Sequence, residues 1–399
     1  MLGAGLAGSA ASYSLAIRGY SVCVLDAAHG PAQGASALPV GLIAPHISAD
    51  DAVLSRISRM GVQATLARAQ SLLGPEDWQL SGVLEHRLKG KALRPQDDTQ
   101  LASADQMAQA SLPADAPALW HAQGAWLRPA RLVQAQLTHA NIQCHWGAQV
   151  VSLSQRNDTW QVTCQDGRVF SAPTVVVCTA FDSVELLQRV SLASEDSPSQ
   201  KGVKLPLNAL RGQVTWGYQD ELPASVANLL PPFPVNGLGS LVQGTEANTG
   251  RRFWMVGSTF VRGQTQTNVR MDEHQANMDK LKELLPAVGK ALGAVYAPFL
   301  SNRVEEGRAP ALHGWAAVRC TVPDRLPLVG AVREDRPGLY VLAGLGARGL
   351  TLSVLCGELL AAQIENPQLD PTQSNPLGLA EPALLKHLLA NRLRCKQAG

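Results

Sequence analysis

The chain has 399 residues, with 34 Lys and Arg against 32 Asp and Glu, 46% hydrophobic residues and 17% charged ones. That length carries two or three folding units with a sizeable core, and the composition excludes a disordered chain. A net charge of +2 excludes a polybasic DNA binder, although a local basic patch can still hold RNA.

Gly3-Ala4-Gly5-Leu6-Ala7-Gly8 opens a helix of small residues that extends to about residue 18, and a short strand follows at 21–26. A loop rich in Gly, Ala and Ser occupies 30–41. Val53, Leu54, Ile57 and Met60, at three-to-four spacing, predict a helix over 50–73 capped by Asp50 or Asp51. Residues 75–125 read as mixed, broken at Pro113 and Pro117. Pro129 begins a helix to about residue 140. Strands fill 141–182: residues 160–164 alternate, Asp166-Gly167 marks a hairpin turn, and 174–178 is the β-branched run of a buried parallel strand. The polar stretch 191–205 marks a domain change. Strands are expected at 213–216, 238–242 and 253–256, with one helix near 272–285. A strand at 339–343, a glycine-rich turn and a helix to about residue 364 close the pattern. No apolar run is long enough to span a bilayer; the best, around 350–364, is interrupted by Arg348 and Glu358. Met1 has no basic stretch before the apolar run, so no signal peptide is read. Seven scattered Cys without a C-x-x-C pair argue against a disulfide framework or a thiolate zinc site, and point to a reduced, cytoplasmic protein.

Four constellations can carry chemistry. The first is Gly3-x-Gly5-x-x-Gly8 with Asp26 at the end of the next strand. Its glycines make a tight turn, admit a pyrophosphate and let helix pack on sheet, and the helix N-terminus faces the phosphate charge. Asp26 accepts from ribose hydroxyls. The bland alternative is a common glycine-rich turn. Only Met1 and Leu2 precede Gly3, where a strand of about five residues is usual. Three missing buried apolar residues would cost on the order of 5–9 kcal/mol. An upstream start, or a longer parent polypeptide, is therefore expected; the alternative is a naturally short strand.

The second is Gln33-Gly34-Ala35-Ser36 followed by Gly41-Leu42-Ile43-Ala44-Pro45-His46, which suits passage beside a phosphate or ribityl chain; the alternative is a surface loop. The third, Gly344-Leu345-Gly346-Ala347-Arg348-Gly349-Leu350-Thr351, permits close backbone approach to a ligand. Its Thr351 end opens a helix with an anion-favouring terminus; the alternative is a tight turn. In the fourth, residues 318–330, Arg319 sits in a proline-fixed segment and suits a carboxylate through its planar fork. The alternative is a structural ion pair such as Arg325 with Asp324. No H-E-x-x-H or G-x-S-x-G occurs, so metal hydrolysis and acyl transfer lack support. Arg251-Arg252 and the basic tail at 386–396 read as solvated surface, with an RNA phosphate contact as the alternative.

Together these motifs resemble the FAD-dependent amine oxidoreductases of the D-amino-acid oxidase and glycine oxidase type. Pro31-Ala32-Gln33-Gly34-Ala35-Ser36, Gly124-Ala125-Trp126-Leu127-Arg128-Pro129-Ala130, Arg211-Gly212-Gln213-Val214 and Gly257-Ser258-Thr259-Phe260-Val261-Arg262-Gly263 occur in order, followed by 318–330, 344–350 and the tail 384–399. So arranged, the whole chain is similar to the flavin-dependent C-terminal half of the bifunctional tRNA wobble-uridine modification proteins. The resemblance implies an α/β fold: a Rossmann-type FAD-binding domain, discontinuous in sequence (1–75, 126–190 and 306–370). An inserted α+β substrate domain on an antiparallel sheet (76–125 and 206–305) and a basic tail (371–399) complete it.

For FAD it implies contacts from Gly3, Gly5, Gly8 and Asp26, from Ala35, Ser36, Gly41 and Leu42, and from Val150. The last turn would add Gly344, Gly346, Arg348, Gly349, Leu350 and Thr351; no metal is implied. The implied reaction removes the carboxymethyl group of 5-carboxymethylaminomethyl-(2-thio)uridine at the tRNA wobble position, leaving the aminomethyl uridine and glyoxylate. Arg319 is the expected carboxylate clamp, with Arg262 and Arg348 in reserve. A methyltransferase half that would methylate the amine is not in this sequence. Ala37-Leu38-Pro39 stands where the family usually has Gly-Asn, which leaves the local loop path open. Two alternatives stand beside this reading: a glycine or D-amino-acid oxidase acting on free substrates, and a truncated, non-catalytic flavoprotein. The expected partner is tRNA, without DNA or membrane.

Overall fold

The computed structural model describes residues 1–88, 95, 99–156, 158–189, 203–246, 249–301, 311–332, 337–368, 370 and 373–393. The expected domain change at 191–205 falls largely outside these residues, as do Cys395 and the last basic residues of the tail.

A parallel sheet gathers strands distant in sequence. Val22–Leu25 pairs with Ile142–His145, and Val175–Val177 with Leu339–Ala343. Leu2 joins the two halves through parallel bridges to Leu25 and Val177. Gly3 N–H donates to the Leu25 carbonyl and Cys178 N–H to the Leu2 carbonyl, each at 2.8 Å. One residue thus holds the central position of the ladder. Leu328–Ala331 adds an antiparallel edge to Leu339–Ala343. The valines of 175–177 are all buried, as a parallel strand covered on both faces requires. The Asp166-Gly167 turn links Thr159–Cys164 to Val169–Ala172, with Gly167 at φ +87°.

Three helices, Leu6–Ala16, Val53–Leu72 and Gly349–Glu365, pack together beside this sheet. Leu6–Ala16 is buried almost all round. Its small residues admit the last helix so closely that a Cβ on Gly357 would lie 2.8 Å from the Ala10 carbonyl carbon. Residues 346–365 are, by length and composition, long and apolar enough to cross a bilayer, contrary to the sequence expectation. Yet 67% of that stretch is buried inside the protein, and its Glu358 accepts ion pairs from Arg18 and Arg68. The helix is core. The expected acidic cap of Val53–Leu72 is also corrected. Ala52 holds the N-cap without a side-chain bond, Ser48 Oγ takes the Ala52 N–H at 2.9 Å, and Asp51 pairs with both Arg59 nitrogens at 2.7 and 2.9 Å. Nor is the tail simply a solvated basic surface. Leu384, Leu385 and Leu388 enter the core, and Arg392 pairs with Asp324 at 3.1 Å.

The second sheet runs His313–Thr321, Asn208–Tyr218, Arg252–Gly257, Gly239–Thr245, Val235–Gly237, Val83–His86, Ala118–His121 and Thr99–Leu101. Every pairing is antiparallel except that between Val235–Gly237 and Val83–His86. Val261–Arg262 extends the ladder on Leu210 and Arg211. Two helices cover one face, Met271–Leu284 and Pro286–Leu300, where the sequence predicted one. Gly289 and Pro298 obscure the second. A Cβ on Gly289 would stand 2.5 Å from Lys282 Cα, so the glycine marks a close helix crossing, not a break.

Side chains of Asn208–Tyr218 alternate between two environments, as the pleat dictates. Arg211, Gln213 and Thr215 bond to the segment 266–277. Val214, Trp216 and Tyr218 join Val242, Phe253 and Met255 against Leu38, Val40 and Leu42. The sheet face away from the helices therefore lies over the loop that follows the glycine motif.

Candidate active site

The glycine motif builds a cradle for a phosphate-bearing ligand. Gly3 has φ +97°, and a Cβ there would meet the Cys178 carbonyl oxygen at 2.7 Å. A Cβ on Gly8 would stand 1.8 Å from the Gly3 carbonyl oxygen, so only glycine lets the helix seat on the turn. A Cβ on Gly5 would meet only the Ser36 side chain, with Oγ at 3.0 Å, which leaves the backbone open to close approach. Leu6–Ala16 has no side-chain cap hydrogen bond at Gly5 and no acidic residue in its first turn. Ser36 Oγ takes the Leu6 N–H at 2.9 Å. The remaining first-turn N–H groups and the positive helix end favour an anion.

Asp26 closes the far side. Its Oδ2 accepts from Ala4 N–H at 2.6 Å and its Oδ1 from Ala28 N–H at 2.8 Å. A carboxylate offers about four acceptor positions, so hydroxyls of a ribose can still be received. Ala148 N–H bonds the Asp26 carbonyl at 2.8 Å, which brings the 148–150 segment, and Val150 with it, alongside. These are the features a dinucleotide needs, and the residues present fit one.

The other motifs converge on the same region. Gly41 lies against Leu350, where a Cβ would meet Cδ1 at 2.4 Å, and Gly349 lies against Leu6 at 3.1 Å. Ala35 sits in the short turn Ala35–Ala37, and Leu42 packs under the second sheet. Gly344 and Gly346 both take positive φ, +80° and +57°. Leu345 bridges Thr321, which ties this turn to the strand carrying Arg319. Thr351 is buried with its carbonyl against Gly61. Arg348 is half-buried; its backbone N–H donates to the Leu345 carbonyl at 3.0 Å, and its guanidinium has no hydrogen bond or ion pair among the described residues. Burial, then the charge of Arg325, lowers its pKa. His46 shares this neighbourhood: burial and the charge of Arg348 lower its pKa, which keeps it neutral near pH 7.

Arg319 lies on the strand His313–Thr321, and the prolines follow it. Arg325 does not pair with Asp324, which is held by Arg392 instead. Arg319 Nη2 donates to Ser258 Oγ at 2.6 Å, while Nη1 is buried with no partner. Gly212 makes room for it; a Cβ there would stand 2.3 Å from Nη1. Burial holds the Arg319 pKa down to about 10, so the group is cationic at neutral pH. Lys280 donates to the Ser258 carbonyl at 2.8 Å, and burial followed by the Arg319 charge lowers its pKa. No carboxylate among the described residues pairs with either cation. Buried charges are normally paired, and an orphaned buried donor calls for a ligand. The guanidinium and Lys280 also approach the Phe260 ring, at 4.9 and 5.5 Å from its centroid. Arg262 is exposed on the neighbouring strand, opposite Leu210, which in turn pairs with Arg319.

A buried network fixes this corner. Arg211 is fully buried. It pairs with Glu273 and donates to the carbonyls of Gln266, at 2.7 Å, and Asn268, at 2.5 Å. Thr259 Oγ1 donates to Glu273 Oε1 at 3.1 Å and accepts the Gln213 N–H at 2.9 Å. Asn277 Nδ2 donates to the Gln213 carbonyl at 3.0 Å. Sequence reasoning had singled out neither Glu273, Asn277 nor Lys280. Their signal was available: spaced by four and three, they form a polar stripe on the buried side of a helix that also buries Met278 and Leu281.

Comparison with known proteins gives a consistent picture. The FAD dependent oxidoreductase family matches residues 2–363. A tRNA 5-methylaminomethyl-2-thiouridine biosynthesis bifunctional protein MnmC from a Polaromonas species is 41% identical over 408 residues, covering 99% of this chain and 58% of the relative. The protein of the same description from Paracidovorax citrulli is 44% identical over 389 residues, covering 91% and 57%. The chain thus spans less than two thirds of the length of these relatives. Among solved structures, glycine oxidase from Bacillus cereus shares the fold with a TM-score of 0.68 at 16% identity, over 92% of this chain and 95% of that one. Iminodiacetate oxidase from a Chelativorans species shares it at 0.63 and 19%, over 91% and 94%.

Proposed function

This chain belongs to the FAD dependent oxidoreductase family, and on that premise we propose that it oxidises the carboxymethylaminomethyl group of a tRNA wobble uridine in the cytoplasm. The products are the aminomethyl uridine and glyoxylate. The observation that carries the reading is Arg319, a cation with a buried, unpartnered Nη1 and no protein carboxylate beside it. The tRNA substrate is supported by 41–44% identity to relatives described as acting in tRNA 5-methylaminomethyl-2-thiouridine biosynthesis.

FAD, when bound, supplies the acceptor for the hydride of the glycyl CH2. Gly3, Gly5, Gly8, Ser36 and the Leu6–Ala16 N-terminus would hold its pyrophosphate and Asp26 a ribose, while Gly41, Leu42 and the 344–351 turn with Arg348 would contact the remainder. Val150 would border the nucleotide beside Asp26. Arg319 receives the substrate carboxylate through its planar fork, with Ser258 fixing the plane. Arg262 stands at the exposed rim, available to a phosphate. Arg319 and Lys280 together disfavour a protonated substrate amine. The neutral amine is the form whose electron pair assists hydride departure. Loss of the hydride and the N–H proton leaves a C=N bond in the substrate. Water adds to its carbon, and cleavage gives glyoxylate and the primary amine. No protein nucleophile is required; holding the carbon in place supplies the rate. The amine product suits a methyl-transfer step on a separate domain or protein.

The test is a visible absorption spectrum of the purified chain, then anaerobic mixing with tRNA bearing the carboxymethylaminomethyl group. Yellow protein that bleaches with this tRNA, but not with glycine or D-alanine, is expected. Bleaching by the free amino acids would replace the reading with an amino-acid oxidase, and a colourless protein with a non-catalytic remnant.

A further inference from the structure

We infer that Phe260 is the stacking partner of the substrate's ring, so that the site selects a ring-bearing N-carboxymethyl amine over a free amino acid; this rests on the reading above. Phe260 is 53% exposed and is the only exposed Phe or Trp among the described residues. One isolated apolar side chain on a surface needs no explanation. This ring, however, is set beside the two cations that mark the carboxylate position, 4.9 Å from Arg319 Cζ and 5.5 Å from Lys280 Nζ. Those contacts fix it on one side and leave the rest open.

The substrate's own dimensions then place its ring. Four bonds separate the carboxyl carbon from the pyrimidine carbon bearing the side chain, an extended reach of about 5 Å. Stacked rings sit with centroids roughly 4.5–7 Å apart. A carboxylate on Arg319 therefore brings the pyrimidine into stacking range of Phe260 without displacing either side chain. Unpaired RNA bases are commonly received in this way. Glycine and D-alanine carry no ring and gain nothing there.

The FAD-loaded protein is titrated calorimetrically with (benzylthio)acetate and (ethylthio)acetate, thioethers that keep the carboxylate-to-ring spacing and lack the oxidisable amine. Phe260→Ala is expected to weaken the benzyl compound about 10-fold and to leave the ethyl compound unchanged, while Phe260→Trp retains the preference. Equal weakening of both compounds would overturn the inference, because Phe260 would then merely prop Arg319; so would no change in either. The two proposals fail separately. A Phe260-dependent benzyl preference in a protein that modified tRNA does not bleach keeps the ring subsite and refutes the tRNA reading. Bleaching by modified tRNA with undiminished kcat/KM in Phe260→Ala does the reverse.

Discussion

Gly212→Ala should disable the clamp without touching the cofactor cradle. The new Cβ would lie 2.3 Å from Arg319 Nη1 and 2.6 Å from the Thr259 carbonyl oxygen, where ordinary contact begins at 3.4 Å. Nη1 must therefore yield about 1.1 Å. It ends a side chain and moves more readily than the Thr259 backbone. Because the guanidinium is rigid, a shift of that size in the worst direction stretches the 2.6 Å bond from Nη2 to Ser258 Oγ beyond hydrogen-bond range. Misplacement by about 1 Å costs on the order of 100-fold in rate, while overpacking costs about 1–3 kcal/mol of stability. Rapid mixing under anaerobic conditions would give kcat/KM from flavin bleaching, and the visible-to-ultraviolet absorbance ratio would give FAD content. A loss near 100-fold with full FAD content is expected. Arg319→Ala should lose more turnover, again with far less effect on FAD, and the double variant should be no worse than Arg319→Ala. Undiminished turnover in Gly212→Ala, or additive losses in the double variant, would refute the reasoning.

Gly8→Ala should yield colourless protein, since its Cβ would stand 1.8 Å from the Gly3 carbonyl oxygen; a yellow variant with stoichiometric FAD would contradict the cradle. Arg211→Leu strands Glu273 in the interior and should cost about 3–5 kcal/mol in urea unfolding; a loss below about 1 kcal/mol would show that the pair is not structural. With rising pH, KM for the carboxylate substrate should first fall as the free substrate's amine sheds the proton that Arg319 and Lys280 disfavour. It should then climb as Arg319, whose pKa burial lowers to about 10, loses its charge. A bound carboxylate favours the charged form, so the alkaline limb in kcat should lie higher than that in kcat/KM. A KM that already rises near pH 7 would assign the limb to another group.

What could be read from the chain depended on how local its cause was. The glycine motif was legible because its own spacing states the turn, with Gly8 seated on the Gly3 carbonyl five residues before it, although Gly3 and Gly5 also meet the distant Cys178 and Ser36. Val175–Val177 and Leu339–Ala343 were legible because burial on both faces demands an unbroken apolar run. Pro286–Leu300 was missed because Gly289 answers to Lys282 of another helix, a constraint that single-helix patterns do not express. The acidic cap was misread because Asp51 found a better partner in Arg59. At the site, the motif and its resemblance pointed to Arg319, but nothing near Arg319 in sequence announces Lys280 or Ser258. Those meet it only when strand and helix are stacked.

The strand Asn208–Tyr218 holds two jobs in one stretch of chain. Arg211, Gln213 and Thr215 grip the segment 266–277, whereas Gly212 and Val214 face the clamp and the loop beneath it. The division sorts mutational phenotypes by parity. Substitutions at Arg211, Gln213 and Thr215 should act through folding alone, while those at Gly212 and Val214 should change the clamp and the loop beneath it as well as stability. A single change along this strand can therefore alter the clamp, and the strand's two faces decide whether a variant is read first as a loss of fold or as a change of chemistry.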